Sequence, residues 1–375
     1  MKKKENSRNE GMCIDKSRRH IHLYNEYNED WKNNKNNSLK IQLKIAIIGI
    51  FMVSVFFCSA CGKNNVPIDS QLFFDGIDDS GCHVVLRQKP QHIVSLNLST
   101  DEILIELIDP ERIAALSALA DDDGLSSIKE KAMQIPVKIK NRNLETILAQ
   151  QPDLVITTNG TAKELVQTLR DMAIPVFVSN NPTQFRELFL RIHSIGLITG
   201  SEMNAENLIT ELQKRLEIVE KRVQMIPLEK RRSIMAFSCS GVFGRSGGFF
   251  DDMCRHAGVI NGAAVTGLTK DHPISKEQII AFNPDMFLLP TWNSEGKNND
   301  LYIDEIRNDP AYQKMKALQR GNLIFVSDRY RYSASQFAVN SVEVLAKAVY
   351  PEWFSKKNEE NGGGNGKTCD YEFGK

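Results

Sequence analysis

NLETILAQQPDL (residues 143–154) and SKEQIIAFNPDM (275–286) stand 132 residues apart and share one pattern. Each opens on a residue suited to capping a helix (Asn143, Ser275) and places a Glu two positions on (Glu145, Glu277). Paired aliphatics, an Ala and a Pro-Asp step then lead into an apolar stretch. A fixed offset of this length marks a duplicated supersecondary unit. The chain is therefore expected to fold as two similar lobes.

The segments around each copy repeat the same order. In the first half HIVSL (92–96) reads as a strand, and Ser99 with Glu102 as a capping box opening a helix that Asp109-Pro110 ends. LVITT (154–158) is a strand, 161–172 a helix and IPVFV (174–178) a strand. In the second half strand SIMAFS (233–238) is followed by a helix near 249–257, the helix at Ser275, strand MFLLP, a helix over 308–319 and strand NLIFVS (322–327). Such alternation implies an α/β fold with parallel sheets covered on both faces. Between the halves Leu208, Leu212, Leu216, Val219, Val223 and Ile226 recur at helical spacing. They predict a connecting helix of roughly 24 residues, about 35 Å long at its regular rise. The expected divisions are a leader to residue 60, a linker over 61–89, an N-terminal lobe over 90–200 and the connecting helix over 201–228. A C-terminal lobe over 229–354 and a flexible, Gly- and Asn-rich tail over 355–375 follow, with TWNSEGKNNDLY (291–302) as a surface insertion.

At 375 residues, with 41% hydrophobic and 25% charged content, the chain can bury two cores. Its formal charge is zero, yet residues 1–44 hold 11 Lys and Arg against 6 Asp and Glu, which leaves 36 against 41 from residue 61 onward. A mildly acidic body has no electrostatic footprint for nucleic acid. The first 44 residues lack apolar periodicity and are expected to be disordered. No charge occurs from Ile45 to Gly62, and IAIIGIFMVSVFFCSA ends directly on Cys61. With Lys40 and Lys44 before it, the run resembles a bacterial lipoprotein export signal, although Cys58 stands where Leu is usual. Cleavage before Cys61 would leave its thiol to take the lipid; the alternative is an uncleaved membrane anchor. Both place the body outside the cytoplasm, anchored to the cell membrane. Cys82, Cys239, Cys254 and Cys369 show no CxxC or Cys/His zinc spacing, and a Cys239 to Cys254 bridge stays open.

Six segments occur in a telling order: PQHIVSLNLSTDEILIEL, NLETILAQQPDLVI, IPVFV with IGLITG, ISKEQIIAFNPDMFLL, DPAYQKMKALQRGNLIFVSD and VEVLAKAVYPE. Over residues 90–354 the chain resembles the substrate-binding proteins of iron-siderophore and cobalamin ABC importers, the helical-backbone type of periplasmic binding protein. The resemblance implies two similar lobes with parallel central sheets, joined by one long α-helix, with the ligand cleft between them. It also implies a monomer that carries no permanent cofactor and binds a metal chelate (ferric siderophore, corrinoid such as cobalamin, or haem). Delivery would be to a permease powered by a cytoplasmic ATPase, docking through one Glu on each lobe, here Glu145 and Glu277. Both sit in the first turn of a helix, where the macrodipole favours an ionised carboxylate.

In parallel α/β lobes ligands lie beyond the carboxyl ends of the strands. The loops expected there supply Ser99, Thr100, Asn159, Arg245, Ser246 and Trp292, and above all Arg329-Tyr330-Arg331-Tyr332. Two cations beside two phenols suit an anionic, aromatic or planar chelate. Continued as a strand, these four residues would alternate in direction. Haem would need an axial donor, for which Tyr330, Tyr332 and His272 are candidates. A chelate that arrives with its own ligands needs no protein metal site, and Asp121, Asp122 and Asp123 read as a solvated acidic loop.

Gly244-Arg245-Ser246-Gly247-Gly248 also satisfies the nucleophile-elbow pattern of hydrolases, with Asp251 or Asp252 and His256 or His272 to complete a triad. His256 lies only ten residues after Ser246, on the same following helix, whereas such triads draw the His from a distant loop. Binding without catalysis is therefore the favoured expectation, and a ligand sensor or scaffold of the same fold without transport is the alternative from a different class.

Overall fold

The computed structural model describes residues 72–292, 300–354 and 371–373. Cys61, the leader and most of the insertion lie outside the described residues. Among the described residues no helix is long and apolar enough to cross a membrane.

Strands β1 (Phe74–Ile77) and β2 (His83–Leu86) form an antiparallel hairpin. This corrects the expected linker. Phe74 meets Phe177 edge-on at 6.3 Å, and Asp78, its side chain buried, pairs with Arg170 at 2.6 Å. The polar surface of the segment conceals an alternation in β2 that buries Val84 and Leu86.

Next come β3 (Ile93–Ser95), α1 (Leu98–Leu107), β4 (Ile113–Ser117), β5 (Lys138–Ile139) and α2 (Leu144–Ala149). β6 (Leu154–Thr158), α3 (Lys163–Asp171) and β7 (Val176–Ser179) complete the lobe. Its sheet runs β5-β4-β3-β6-β7, every pair parallel. α4 (Phe185–Thr199) ends on Gly200 in the left-handed conformation (φ 65°) and turns into α5 (Glu202–Gln224). The second lobe has β8 (Ser233–Ser238), β9 (Gly241–Phe243), α6 (Phe249–His256), β10 (Ile260–Asn261), α7 (Lys276–Phe282) and β11 (Met286–Leu289). β12 (Leu323–Val326), α8 (Asp328–Arg331), α9 (Ala338–Val349) and β13 (Tyr371–Phe373) follow. Here the order is β10-β8-β11-β12-β13, parallel from β10 to β12. β4-β3-β6-β7 of one lobe and β10-β8-β11-β12 of the other are thus the same four-strand topology. The central strands β3, β6 and β11 are buried along their whole length, as parallel strands covered on both faces must be.

α5 is the connecting rod, 23 residues long. Its stripe Leu212, Leu216, Val219 and Val223 is buried and joins one hydrophobic core running from Ile93 and Ile103 through the rod to Ile234, Leu288 and Val342. The rod is glued to both lobes rather than strung between them.

Three local expectations change. The Ser99 and Glu102 box does not form: Asn97 is the N-cap of α1, and both side chains bond elsewhere, as described below. The helix expected over 308–319 divides into Asp300–Asn308 and Lys316–Gln319. Pro310 disfavours helical backbone before it, and the Asp309 carboxylate takes the Ala311 N–H at 2.8 Å. The tail read as flexible contains β13, antiparallel to β12.

Candidate functional site

The repeated motif builds the frame of the site. After α2 and α7 the chain passes Gln151 (φ 47°) and Asn283 (φ 50°), both in left-handed backbone at equivalent positions. Pro-Asp then enters the strand. Because α2 and α7 each run back against the parallel strands they precede, their N-termini, with Glu145 and Glu277, lie toward the carboxyl ends of the two sheets. Both glutamates are exposed. Asn143 caps α2 by accepting the Thr146 N–H at 2.8 Å, and Ser275 with Gln278 forms a full capping box on α7. Backbone N–H and Ser275 hydroxyl bonds hold the Glu277 carboxyl below its ordinary range.

At the carboxyl ends of the strands lies a cavity of about 490 Å3. Asn181 and Pro182 of the first lobe face Phe243, Arg245, Phe249, Lys270 and Tyr332 of the second across it. The rings form an aromatic wall: Phe243 and Tyr332 meet edge-on at 4.9 Å, and burial raises the Tyr332 phenol. Arg245 and Lys270 are exposed cations, and among the described residues no Asp or Glu lines this cavity. Gly244, at φ 98°, lets the chain turn here, since a Cβ would lie 2.7 Å from Phe250. A second cavity of about 450 Å3 shares Asn181 and Pro182 and is lined by Asn159, Asp79, Glu187 and Arg191. One cleft is thereby divided into a cationic, aromatic half and an amide- and carboxylate-lined half.

The residues singled out from the sequence divide accordingly. Arg245 and Tyr332 line the first half and Asn159 the second. Thr100 lies in neither: it is fully buried, its hydroxyl spent on Ser95 at 2.7 Å and the Asn97 carbonyl at 2.8 Å. Ser99 accepts from Arg191 at 3.0 Å. The expected strand through Arg329 to Tyr332 is instead the turn α8, so the four side chains fan out rather than alternate. Arg331 borders the first cavity but is buried, pairing with Asp328 at 2.7 Å and donating to the carbonyls of Leu289 and Phe237. It ties together the ends of three strands. Tyr330 packs on the core. Arg329 reaches the first lobe, donating to the Asp123 carbonyl at 2.5 Å. Trp292 does likewise, its indole N–H meeting Asp122 at 3.2 Å, with the ring so close to Gly124 that a Cβ there would fall 2.2 Å from it. Asp122 and Asp123, expected as a solvated loop, are thus a lobe contact. Lys270 lies on the loop before α7, and nothing in the sequence around a single loop lysine sets it apart.

The hydrolase constellation is not assembled. Ser246 is exposed, while His256 is buried between Glu220 at 2.5 Å and Asp252 at 3.6 Å. Asp252 accepts the Phe185 N–H of the first lobe at 2.8 Å. His272 is exposed and lines neither cavity. Cys254 is buried in the core and Cys239 lies on the exposed β8–β9 turn, its thiol at 3.4 Å from the Trp292 carbonyl. Among the described residues no group of three or more His, Cys, Asp or Glu stands where it could hold a metal ion.

Comparison with known proteins agrees with this architecture. The molybdate-binding protein MolA of Haemophilus influenzae is 27% identical over 251 residues, covering 59% of this chain and 68% of that protein. A cobalamin-binding protein of Halobacterium salinarum is 24% identical over 210 residues, 56% of each. The chain thus spans only about half to two thirds of the length of these relatives. A periplasmic binding protein from Veillonella parvula superposes with a TM-score of 0.62 at 18% identity, over 74% of this chain and 97% of that one. The family model for periplasmic binding proteins matches residues 93–330. The chain belongs to the periplasmic binding protein family.

Proposed function

We propose that this protein is an extracytoplasmic receptor of an ABC importer that captures an anionic metal chelate in its interlobe cleft and hands it to a permease. The observation that carries this is the cavity between the lobes, where Arg245 and Lys270 stand beside the rings of Phe243, Phe249 and Tyr332 with no acidic side chain among the described lining residues. Exposed cations select for negative charge, and aromatic faces select for flat or ring-bearing ligands. Relatives named for molybdate and for cobalamin support cargo of this general kind. Ferric siderophores, corrinoids and haem remain the candidate classes; of the phenols and imidazole considered as axial donors, only Tyr332 lines the cavity. Cys61 would carry the lipid anchor, and Glu145 and Glu277 would dock with the permease, whose ATPase partner drives release. A homologous cleft in a family of binding proteins supports binding over hydrolysis at Ser246.

The test is the visible absorption of protein purified from its native host grown in metal-poor medium. Ferric catecholates, corrinoids and haem have distinct bands, so a chromophore that co-purifies and is lost from an Arg245→Ala, Lys270→Ala variant supports the proposal. Cargo retained unchanged by that variant counts against this cavity.

A further inference from the structure

The segment Ser333 to Gln336 joins α8 to α9 and forms part of the cavity wall through Ser333 and Ala334. Two buried charged side chains of the first lobe hold it. Arg191 on α4 donates to the Ala334 carbonyl at 3.1 Å. Glu102 on α1 meets the Ser335 hydroxyl through Oε2 at 2.5 Å, accepts the Ser127 N–H through Oε1 at 3.1 Å, and receives the Gln336 amide on its backbone carbonyl at 2.7 Å. Glu102 is 3% exposed and Ser335 fully buried.

We propose that Glu102 is a positioning residue whose protonation sets the spacing of the lobes, and so the width of the cleft, through Ser335. The geometric basis is the contact itself, which ties Glu102 of the first lobe to the segment forming the cavity wall of the second. With Oε1 accepting from Ser127, a protonated Oε2 can donate to the Ser335 hydroxyl, which stays free to donate to Ser333 Oγ at 3.3 Å. An ionised carboxylate occupies the same place only with its charge withheld from water. Burial raises the Glu102 carboxyl to about 7, against the hydrogen bonds from Ser335 and Ser127 and the charges of Arg191 on α4 and Arg329 on α8. Its neighbour Asp101 on α1 is a second buried acid raised to about 7, chiefly by burial and only slightly by the Glu102 charge. The sign follows: an acid raised in the closed form favours closure at low pH and loses that contribution as pH rises through about 7.

The test needs no cargo, so it stands apart from the transport reading. Dyes placed by unnatural amino acids at the exposed positions Glu164 and Lys314, one on each lobe, report lobe spacing by single-molecule energy transfer from pH 5.5 to 8.5. The wild type should shift toward the open state near neutral pH, the open-to-closed ratio rising by up to about tenfold per pH unit for one proton. Glu102→Gln, which reproduces the protonated pattern with an amide, should stay closed throughout. Ser335→Ala, which keeps the acid and removes its partner, should be more open below pH 6 and respond less to pH. A flat wild-type profile, or the wild-type midpoint retained in both variants, overturns the proposal.

Discussion

Asp153 and Asp285 make the same reciprocal bond 132 residues apart. The Asp153 carboxylate accepts the His92 N–H at 2.9 Å while its own N–H meets the His92 carbonyl at 3.1 Å. Asp285 does this with Ser233, at 3.0 and 3.1 Å. Each staples the start of its lobe's first strand to the start of the strand beside it. The Pro-Asp of the repeat is thus a register device.

The first prediction follows from that staple. Asp285→Ala leaves the buried Ser233 N–H and hydroxyl, which both donate to the carboxylate, without an acceptor. Removing one partner of a buried bond costs about 1–3 kcal/mol. Urea denaturation should show that loss at Asp285. Asp153→Ala should cost less, because Asp153 is exposed and water can replace it. Equal losses would mean that the two staples are not loaded as their burial indicates.

The cleft's charge makes a second prediction. Arg245 and Lys270 are solvent-exposed, so their attraction is screened over a Debye length of about 8 Å at physiological salt. Ferric citrate, an anion, should bind Arg245→Ala, Lys270→Ala protein at least tenfold more weakly than wild type, the gap shrinking at high salt. A neutral ferric hydroxamate should be affected little. Tryptophan-fluorescence titration distinguishes the two, and an equal loss for both ligands would assign the pair a role in shape rather than in charge.

Much of this was legible in the sequence, for definable reasons. The repeat, the strands and the rod follow from local periodicity, and SIMAFS and LVITT have in space the bounds they have in the sequence. What escaped is what depends on which charged side chain the fold buries. Arg191 lies in FRELFLRIHSIGLITG beside Arg186, yet only Arg191 faces the second lobe. Arg331 carries the same formal charge as Arg329 one helical half-turn away, but one is locked among strand ends and the other spans the cleft. Glu102 satisfied a capping pattern that its helix did not use, because Ser127 and Ser335 offered it partners 25 and 233 residues away. Long-range partners of that kind leave no local periodicity to find.

A third prediction concerns docking. Glu145 and Glu277 project from the first turns of equivalent helices and lie outside both cavities. Replacing both with Ala should therefore leave the affinity for a chelate within about twofold while abolishing uptake by cells that express the cognate permease. A single replacement should give an intermediate loss if each lobe makes one contact. Uptake unchanged in the double variant would remove the permease from the proposal and leave a binding protein that senses or stores its ligand.

The last prediction is a stability profile with two limbs. Asp101 is fully buried beneath β4, where it accepts the Ser117 N–H at 3.1 Å. Burial raises it to about 7, against its bonds to Ser117 and Ser95. Raised above its unfolded value, it contributes stability that is complete below about 4 and is lost as pH climbs through about 7. His256 has the same sign. Burial lowers it, but the hydrogen bonds of Asp252 and Glu220 prevail and raise it, so its contribution also fades with rising pH. Asp252 runs the other way: burial is outweighed by His256 and Arg255, its carboxyl is depressed, and its contribution is lost as pH falls through that lowered value. Unfolding free energies from urea titrations should therefore peak in mildly acid solution and decline toward neutral pH and above, with a limiting slope of about 1.4 kcal/mol per pH unit for each proton released. Asp101→Asn should remove one proton's share of the alkaline limb and leave the acid limb in place, because the amide can still accept from the Ser117 N–H without carrying charge. If the alkaline limb is as steep in the variant as in the wild type, Asp101 is not the buried acid that shapes it.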